Sequence, residues 1–295
     1  MAGPEIQSLV DMLKANPPLS GTIDDMRAMM AASVGAAPLP EGVEFEEVRA
    51  GGVRAEWARA EGASRDRVIV YAHGGGYTIG GIESHRGLVA GLSRTSGASV
   101  LSLDYRLAPE HRYPSAIDDA CTAYRFVLAQ GTDPANIAIA GDSAGGGITV
   151  ATLVALRDAG DPLPATGVCI SPWVDLTQSG GTYKTKQSDD PMVNAEMLTM
   201  MAEAYLGDAD PKSPTASPLF ADLSGLPPLL IQVGTAEVLL DDARRLAERA
   251  EAAGVSVCLE EWEDMIHVWH SFAAMVPEAQ QAIERIGEYL GDQLG

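Results

Sequence analysis

The segment GDSAG at residues 141–145 places a lone serine between glycines, at the junction of two different patterns. The apolar run before it is typical of a buried strand, and apolar residues repeat at helical spacing over residues 144–158. Glycines permit a sharp strand-to-helix turn, which strains the serine backbone and exposes its hydroxyl. A plain tight turn would have the same composition, but this strand–turn–helix context favours Ser143 as a nucleophile.

A nucleophilic serine needs a base, and the histidines supply the candidates. A serine hydroxyl reacts poorly unless a neighbouring group takes its proton. Of the five histidines, two follow Ser143, which is the chain order that this kind of turn requires. His267 comes just after the last strand pattern, where a loop begins, and His270 lies three residues later. We therefore predict His267 as the base, and His270 as a helix residue near the site or a surface group.

A run of three glycines follows another apolar strand pattern. The N–H groups of Gly74, Gly75 and Gly76 can turn toward a small anion without side-chain obstruction, and the N–H of Ala144 follows the nucleophile. We predict that these groups form an oxyanion hole, with His73 anchoring the loop. A phosphate-binding loop is the competing interpretation, and it is weaker because the glycine motifs of such loops are not matched here.

Four carboxylates compete to orient the base. Glu237 follows an apolar strand pattern and therefore lies on a loop at the strand's carboxyl end, where it can face the histidine loop. Asp241 and Asp242 precede an amphipathic helix and are expected to cap its first turn. Asp264 is three residues before His267 and is expected to shape that loop. We predict Glu237 as the acid, with Asp241 second.

The surrounding elements predict an α/β fold. Strand and helix patterns alternate from residue 67 onward, which indicates a mostly parallel sheet covered by helices on both faces. A hairpin around residues 51–52 adds an antiparallel edge. Two amphipathic helices, separated by Pro17 and Pro18, occupy the N-terminal segment, and a linker-like stretch follows at residues 33–42. We divide the chain into four segments. The N-terminal segment is residues 1–42, the core is residues 43–174 and 219–295, and the insertion between the two core segments is residues 175–218.

Composition excludes several classes of protein. The chain has 295 residues and a net charge of −21, which argues against nucleic acid or an anionic membrane as a partner. No apolar run is long enough for a transmembrane helix, and the N-terminal residues lack the pattern of a secretory signal. The three cysteines are an odd number and lie far apart in the sequence, which predicts reduced thiols and a cytoplasmic location. The histidines lack metal-ligand spacing, so no metal is predicted.

Four segments together resemble the hormone-sensitive-lipase family of α/β-hydrolases, in its bacterial carboxylesterase branch. They are HGGGY at 73–77, DYRLAPEHRYPSAIDD at 104–119, GDSAGG at 141–146 and DMIHVW at 264–269. The resemblance covers nearly the whole chain. It implies an α/β-hydrolase core with a helical cap, formed by the N-terminal segment and the insertion. It also implies oxyanion donation by Gly75, Gly76 and Ala144 and a preference for short-chain esters. Together with the candidates Ser143, His267 and Glu237, it predicts a serine carboxylesterase that acts through a Ser-His-Glu triad and an acyl-enzyme, with no cofactor.

The acid departs from the family pattern. Glu237 stands where these proteins usually carry Asp, and Val238 replaces a proline. Three alternatives stay open: an amide or lactone hydrolase, an acyltransferase, and a non-catalytic ligand receptor on the same fold. Retention of Ser143, a carboxylate and His267 favours an enzyme.

Two further expectations concern assembly and the pocket. Residues 255–262 form the last strand pattern, and relatives often pair this edge, so we predict a homodimer, which Glu260, Glu261 and Glu263 oppose by repulsion. Methionines are concentrated in the predicted cap, where they could line an adaptable pocket or simply pack the helices. They are Met12, Met26, Met29, Met30, Met192, Met197, Met200 and Met201.

Overall fold

The computed structural model describes residues 3–16, 19–34 and 40–295. The predicted break at Pro17 and Pro18 lies outside the described residues, as do residues 35–39 of the predicted linker at 33–42. Everything that carries the sheet and the candidate site lies within the described ranges.

Eight strands of the described chain form one sheet, in the spatial order β1-β2-β4-β3-β5-β6-β7-β8. The first two strands pair antiparallel around residues 51–52, β2 pairs antiparallel with β4, and the neighbours from β4 through β3 to β8 are parallel. The predicted parallel sheet with an antiparallel hairpin at its edge is confirmed. The strands are β1 (Val43–Ala50), β2 (Val53–Ala60), β3 (Ser64–Ala72), β4 (Ala98–Leu103), β5 (Ile137–Asp142), β6 (Thr166–Ile170), β7 (Leu229–Gly234) and β8 (Val257–Trp262).

Helices cover both faces of the sheet, and this explains why the central strands are buried along their whole length and mainly apolar. Apolar side chains of α3 and α9 pack on one face, and those of α4, α5 and α8 pack on the other. The helices of the described chain are α1 (Pro4–Ala15), α2 (Ile23–Val34), α3 (Ile82–Ser96), α4 (Ser115–Ala129), α5 (Ala144–Ala159), α6 (Thr182–Thr185), α7 (Ala195–Leu206), α8 (Leu240–Ala252) and α9 (Pro277–Gln293).

Two details fix the ends and faces of the outer helices. Helix α3 begins at Ile82, and the Ser84 hydroxyl in its first turn accepts the N–H of the N-cap residue Gly81 at 3.1 Å. On α1, Leu9 and Leu13 are buried, whereas Met12 is 46% exposed. The stripe of α1 that faces the core is therefore narrow.

The N-terminal helices and the insertion are the segments predicted to form a cap. Helices α6 and α7 belong to the insertion between β6 and β7, while α1 and α2 precede the sheet. Arg27 of α2 donates to the carbonyls of Thr78 and Ala108, both at 2.8 Å, and pairs with Glu110 at 2.7 Å. These bonds fix α2 to two loops of the core, which gives Glu110 a structural role. The division into four segments stays a prediction.

Three further findings concern the described residues as a whole. Within these ranges, none of the helices is long and apolar enough to cross a membrane. In the same part of the chain, no three His, Cys, Asp or Glu side chains are arranged so that they could hold a metal ion. Cys121, Cys169 and Cys258 are free thiols.

Candidate active site

The predicted site residues meet at one edge of the sheet. Ser143 follows β5, Glu237 follows β7 and His267 follows β8, while the glycine loop follows β3. The carboxyl ends of parallel strands share one edge, so four loops distant in sequence converge there.

The serine lies on a sharp turn that the surrounding backbone holds in place. Ser143 has φ 55° and ψ −120°, a conformation that a non-glycine residue adopts only under strain. A Cβ at Gly145 would overlap the backbone of Ala72, and one at Gly141 would overlap Gly145 itself. The Ser143 N–H donates to Ile170 O at 2.8 Å, which ties the turn to β6. The predicted strand–turn–helix geometry is therefore confirmed.

A line of hydrogen bonds connects the serine, the histidine and the glutamate. His267 Nε2 lies 2.9 Å from Ser143 Oγ, and His267 Nδ1 lies 2.7 Å from Glu237 Oε2. A carboxylate oxygen accepts hydrogen bonds, so we assign the proton to Nδ1, and Nε2 is then the acceptor for the serine hydroxyl. All three side chains are buried. The arrangement can move a proton from Ser143 to His267 while Glu237 holds the ring.

Opposing effects set the basicity of His267. Burial lowers the pKa of the imidazole, but the hydrogen bond and charge of Glu237, with the charges of Asp190 and Asp142, outweigh burial and raise the pKa above its ordinary value. The imidazolium that forms after proton transfer is therefore stabilised. Since only the neutral ring can accept a proton, activity should rise as pH increases through this raised pKa.

A serine that sequence reasoning missed holds the glutamate in place. Ser171 Oγ donates to Glu237 Oε1 at 2.9 Å and accepts the Val268 N–H at 3.2 Å, while the Gly234 N–H donates to the same Glu237 oxygen at 2.6 Å. Ser171 thus links the loop of the acid to the loop of the base. Its position directly after β6 was the available signal, because polar residues at strand ends gather at this edge.

The competing carboxylates are engaged elsewhere, and not as predicted. Asp241 and Asp242 lie within the first turn of α8, whose N-cap has no side-chain bond. The Asp241 carboxylate accepts from the N–H groups of residues 181–182 at 2.6 and 3.1 Å, and Asp242 accepts from those of residues 174–175 at 3.0 and 2.9 Å. The expectation that they cap their own helix is wrong. Both join α8 to the segment that follows β6.

Asp190 is a second residue that sequence reasoning missed. This buried side chain of the insertion accepts from the N–H of Val238 at 3.0 Å and from that of Met192 at 2.9 Å. Burial raises the pKa of Asp190 to about 6, against the lowering effect of the nearby His267. Asp190 therefore joins the insertion to the loop that carries Glu237. No sequence signal marked it.

The remaining residues near His267 have structural contacts. His270 is buried in a short 3₁₀ turn and bonds Gln232 Oε1 through Nε2 at 2.7 Å, so the expectation of a surface group is wrong and that of a residue near the site holds. The Asp264 N–H donates to Thr235 Oγ1 at 2.9 Å, which joins the loops after β7 and β8. Asp264 therefore shapes the histidine loop, as expected.

Three of the four predicted oxyanion donors have backbone conformations that agree with the prediction. Gly75 and Gly76 have φ of 113° and 58°, which only glycine adopts readily and which turns successive N–H groups in one direction. Ala144 is the first residue of α5, so its N–H has no acceptor within the helix. Gly75 and Gly76 line the same cavity as Ser143.

Gly74 is the exception among the predicted donors. Its N–H already donates to Asp142 Oδ1 at 3.0 Å, so the prediction that Gly74 belongs to the oxyanion hole is wrong. The carbonyl of Gly74 is bonded as well, to His73 Nδ1 at 2.6 Å. His73 therefore anchors the loop as expected.

A cavity of about 170 Å³ reaches Ser143 and His267. Four methionines from the predicted cap line its wall, and Met201 lies directly against Gly76. Met12 and Met29, in contrast, are exposed. Half of the methionines singled out in the sequence therefore surround the cavity, which supports the pocket interpretation for those four: Met30, Met192, Met197 and Met201.

Comparison with known proteins assigns this fold and site to a class. A family model described as the alpha/beta hydrolase fold matches residues 69–271. The crystal structure of an esterase from the bacterial hormone-sensitive lipase family is 50% identical, covers all of both chains and superposes with a TM-score of 0.96. The chain is thus an α/β-hydrolase. Within that class it belongs to the bacterial hormone-sensitive lipase family, as its motifs indicated.

Curated relatives agree with this assignment. An acetyl-hydrolase of Streptomyces hygroscopicus is 44% identical over 300 residues, which cover 100% of this chain and 99% of the relative. An esterase of Acinetobacter venetianus is 38% identical over 248 residues, or 84% of this chain and 82% of the relative. The predicted enzyme class, a carboxylic ester hydrolase, is confirmed.

Proposed function

We propose that this chain is a serine carboxylesterase that cleaves short-chain carboxylic esters through Ser143, His267 and Glu237. The observation that carries the proposal is the line of hydrogen bonds from Ser143 Oγ through His267 to Glu237 beside a mainly apolar cavity. A non-catalytic receptor would have no need of this aligned set. The raised pKa of His267 and the strained backbone at Ser143 also favour catalysis.

Each residue has a definite part in the proposed reaction. Ser143 Oγ attacks the ester carbonyl carbon while His267 Nε2 takes its proton, and the N–H groups of Gly75, Gly76 and Ala144 stabilise the resulting oxyanion. His267 then gives the proton to the departing alcohol oxygen, which leaves an acyl group on Ser143. Water repeats these steps in the second half, and releases the acid and the free serine.

The substrate range tests the proposal directly. Wild-type protein should release p-nitrophenol from p-nitrophenyl acetate and butyrate with burst kinetics, and should turn over matched amides and lactones far more slowly. Faster turnover of a lactone or amide would identify one of the alternative hydrolases. Absence of turnover on every ester would contradict the proposed function.

The size of the cavity predicts the acyl-chain preference. Burial of each added methylene should stabilise the transition state by about 0.8 kcal/mol, so we expect kcat/KM to rise roughly fourfold per methylene. Once the cavity is full, kcat/KM should fall. Met30 lines both this cavity and an adjoining groove of about 400 Å³. Met30→Ala should therefore move the optimum to longer chains, measured with p-nitrophenyl esters. Met200 does not line this cavity, so Met200→Ala is the control and should keep the wild-type optimum. A steady rise through long chains in wild type would contradict this prediction.

The free edge of the sheet is proposed as a dimer interface. Within the described residues, strand β8 pairs with β7 alone, and an exposed edge strand invites pairing with a second copy. Glu260 pairs with Arg285 at 3.0 Å and Glu261 with Arg244 at 2.7 Å, so the predicted repulsion between acidic edges is reduced. Light scattering should give the dimer mass at micromolar concentration, and amide exchange in β8 should slow as concentration rises. Monomer mass throughout would reject the dimer.

A further inference from the structure

The site contains a buried carboxylate to which the proposed mechanism gives no role. Asp142 precedes the nucleophile, and its side chain is nearly inaccessible to solvent. Asp142 Oδ1 accepts from the Tyr71 hydroxyl and from the Gly74 N–H, the latter at 3.0 Å. Both contacts are donors, so the geometry holds Asp142 ionised, directly under the loop that carries Gly75 and Gly76.

A negative charge at this place opposes the reaction. The oxyanion that forms during ester cleavage is stabilised by positive partial charges aimed at it, and a buried carboxylate nearby acts in the opposite sense, with little screening. Asp142 lines the same cavity as Ser143, Gly75 and Gly76. The site therefore needs a compensating positive charge.

The second cavity-lining histidine, His85, is placed to supply that charge. His85 Nε2 lies 3.5 Å from Asp142 Oδ2. Its other nitrogen, Nδ1, lies 3.3 Å from the Gly81 carbonyl and 2.8 Å from Ser84 Oγ, whose own proton is directed at that carbonyl. Nδ1 thus faces acceptors and must be a donor. With Nε2 facing a carboxylate, both nitrogens carry protons and the ring is an imidazolium.

The groups around this pair are consistent with that charge state. Burial lowers the pKa of His85, but the charge and hydrogen bond of Asp142 outweigh it and raise the pKa. Burial alone would raise the pKa of Asp142, but the charge and hydrogen bond of His85 have a larger effect and lower this pKa to about 2. His73 stays neutral because burial lowers its pKa to about 3. Asp142 also interacts with Tyr71, Tyr105, His267 and His270, and the charge of Glu83 acts on the neighbouring His73.

We infer that His85 is a positioning residue whose positive charge neutralises Asp142 beside the oxyanion hole. Asp142 holds the glycine loop through Gly74, and His85 removes the electrostatic penalty of having a carboxylate there. The inference rests on the proposed esterase function, because it concerns the oxyanion of that reaction.

A charge-compensation experiment tests the inference. His85→Gln leaves Asp142 uncompensated, and should lower kcat on p-nitrophenyl acetate by about 10- to 100-fold with KM changed less than about twofold. Asp142→Asn keeps an oxygen for Gly74 and removes the charge, so it should retain most of the activity. The double variant should recover to within about fivefold of wild type, which a purely structural role of His85 does not predict.

Two further readouts accompany the kinetics. Affinity for butylboronic acid, whose serine adduct is anionic, should weaken in His85→Gln by about the same factor as kcat. The acid limb of the pH profile should move to higher pH in this variant, because the uncompensated Asp142 charge raises the pKa of His267 further. The limb should return toward its wild-type position in the double variant.

A matched control is available on the same helix. Arg86 pairs with the buried Glu56 at 2.6 Å, away from the cavity lining. Arg86→Gln also leaves a buried carboxylate, that of Glu56, without its charged partner. This variant should therefore lower thermal stability while kcat and boronate affinity stay near wild type. The comparison separates a charge effect at the site from general loss of a buried ion pair.

The outcomes distinguish this inference from the proposed function. Wild-type protein without esterase activity would overturn the proposed function itself. With wild-type activity present, the inference is overturned if His85→Gln keeps wild-type kcat, or if the double variant is no better than His85→Gln. If His85→Gln does not fold, the activity of Asp142→Asn alone tests the inference. Loss of activity in that variant would show that the reaction needs the carboxylate charge, and would overturn the inference that His85 serves to neutralise it.

Discussion

Ser143→Ala is expected to lower kcat by about 10⁶-fold while the protein stays folded, which is the loss typical when a triad nucleophile is removed. The variant lacks the atom that forms the acyl bond, whereas the N–H of residue 143 still bonds β6. Ester assays at high enzyme concentration measure the residual rate, and circular dichroism with thermal melting checks the fold.

Covalent labelling tests the assignment of Ser143 as the nucleophile without measuring turnover. An organophosphate should add one label per chain, on Ser143, and peptide mass spectrometry should locate it. Ser271 lines the same cavity, but His267 Nε2 is hydrogen-bonded to the Ser143 hydroxyl, at 2.9 Å, so the base activates Ser143. Ser271→Ala should therefore be labelled like wild type. A label on any other serine, or an active Ser143→Ala protein, would contradict the assignment.

Glu237→Gln is expected to lower kcat by about 10⁴-fold, as loss of a triad acid does in other serine hydrolases. The amide cannot stabilise the His267 imidazolium, and its NH₂ group favours the wrong tautomer. Because Glu237 raises the pKa of His267, the acid limb of the pH profile should also move to lower pH. Steady-state kinetics from pH 5 to 9 on p-nitrophenyl acetate measure both effects.

Asp241→Asn is the matched control, because Asp241 was the second candidate for the acid. Its carboxylate bonds the N–H groups of residues 181–182 rather than the histidine. Activity should stay near wild type, with a stability loss of about 1 kcal/mol from weakened hydrogen bonds. Near-wild-type activity in Glu237→Gln together with inactive Asp241→Asn would show that the acid lies at position 241.

Local patterns were sufficient to place most elements and the three triad candidates. Residues 137–145 alone indicated a strand, a glycine turn and a helix, and strand ends placed Glu237 and His267 near Ser143. These predictions succeed because burial and turn chemistry act over a few neighbouring residues. The parallel order of strands then follows from the alternation of strands and helices.

The errors concern partners that are distant in the chain. The N–H of Gly74 belongs to Asp142, 68 residues away, and Asp241 bonds a segment 60 residues away instead of its own helix. Ser171 and Asp190 orient the loop of Glu237 through similarly distant contacts. A pattern in one segment contains no information about which other segment will lie against it, so these residues could be identified only once the fold was known.

The close packing at the nucleophile turn also determines how freely this sequence can change. Gly145 in α5 and Gly87 in α3 are both helical glycines, yet a side chain at Gly145 would overlap the backbone of β3, whereas a Cβ at Gly87 meets nothing within 4 Å. Substitution to alanine is therefore prohibitive at the first position and favourable for the helix at the second. Mutational tolerance along the chain will follow this contrast, with the narrowest range of accepted residues at 141 and 145 and a wide range on the outer turns of the helices.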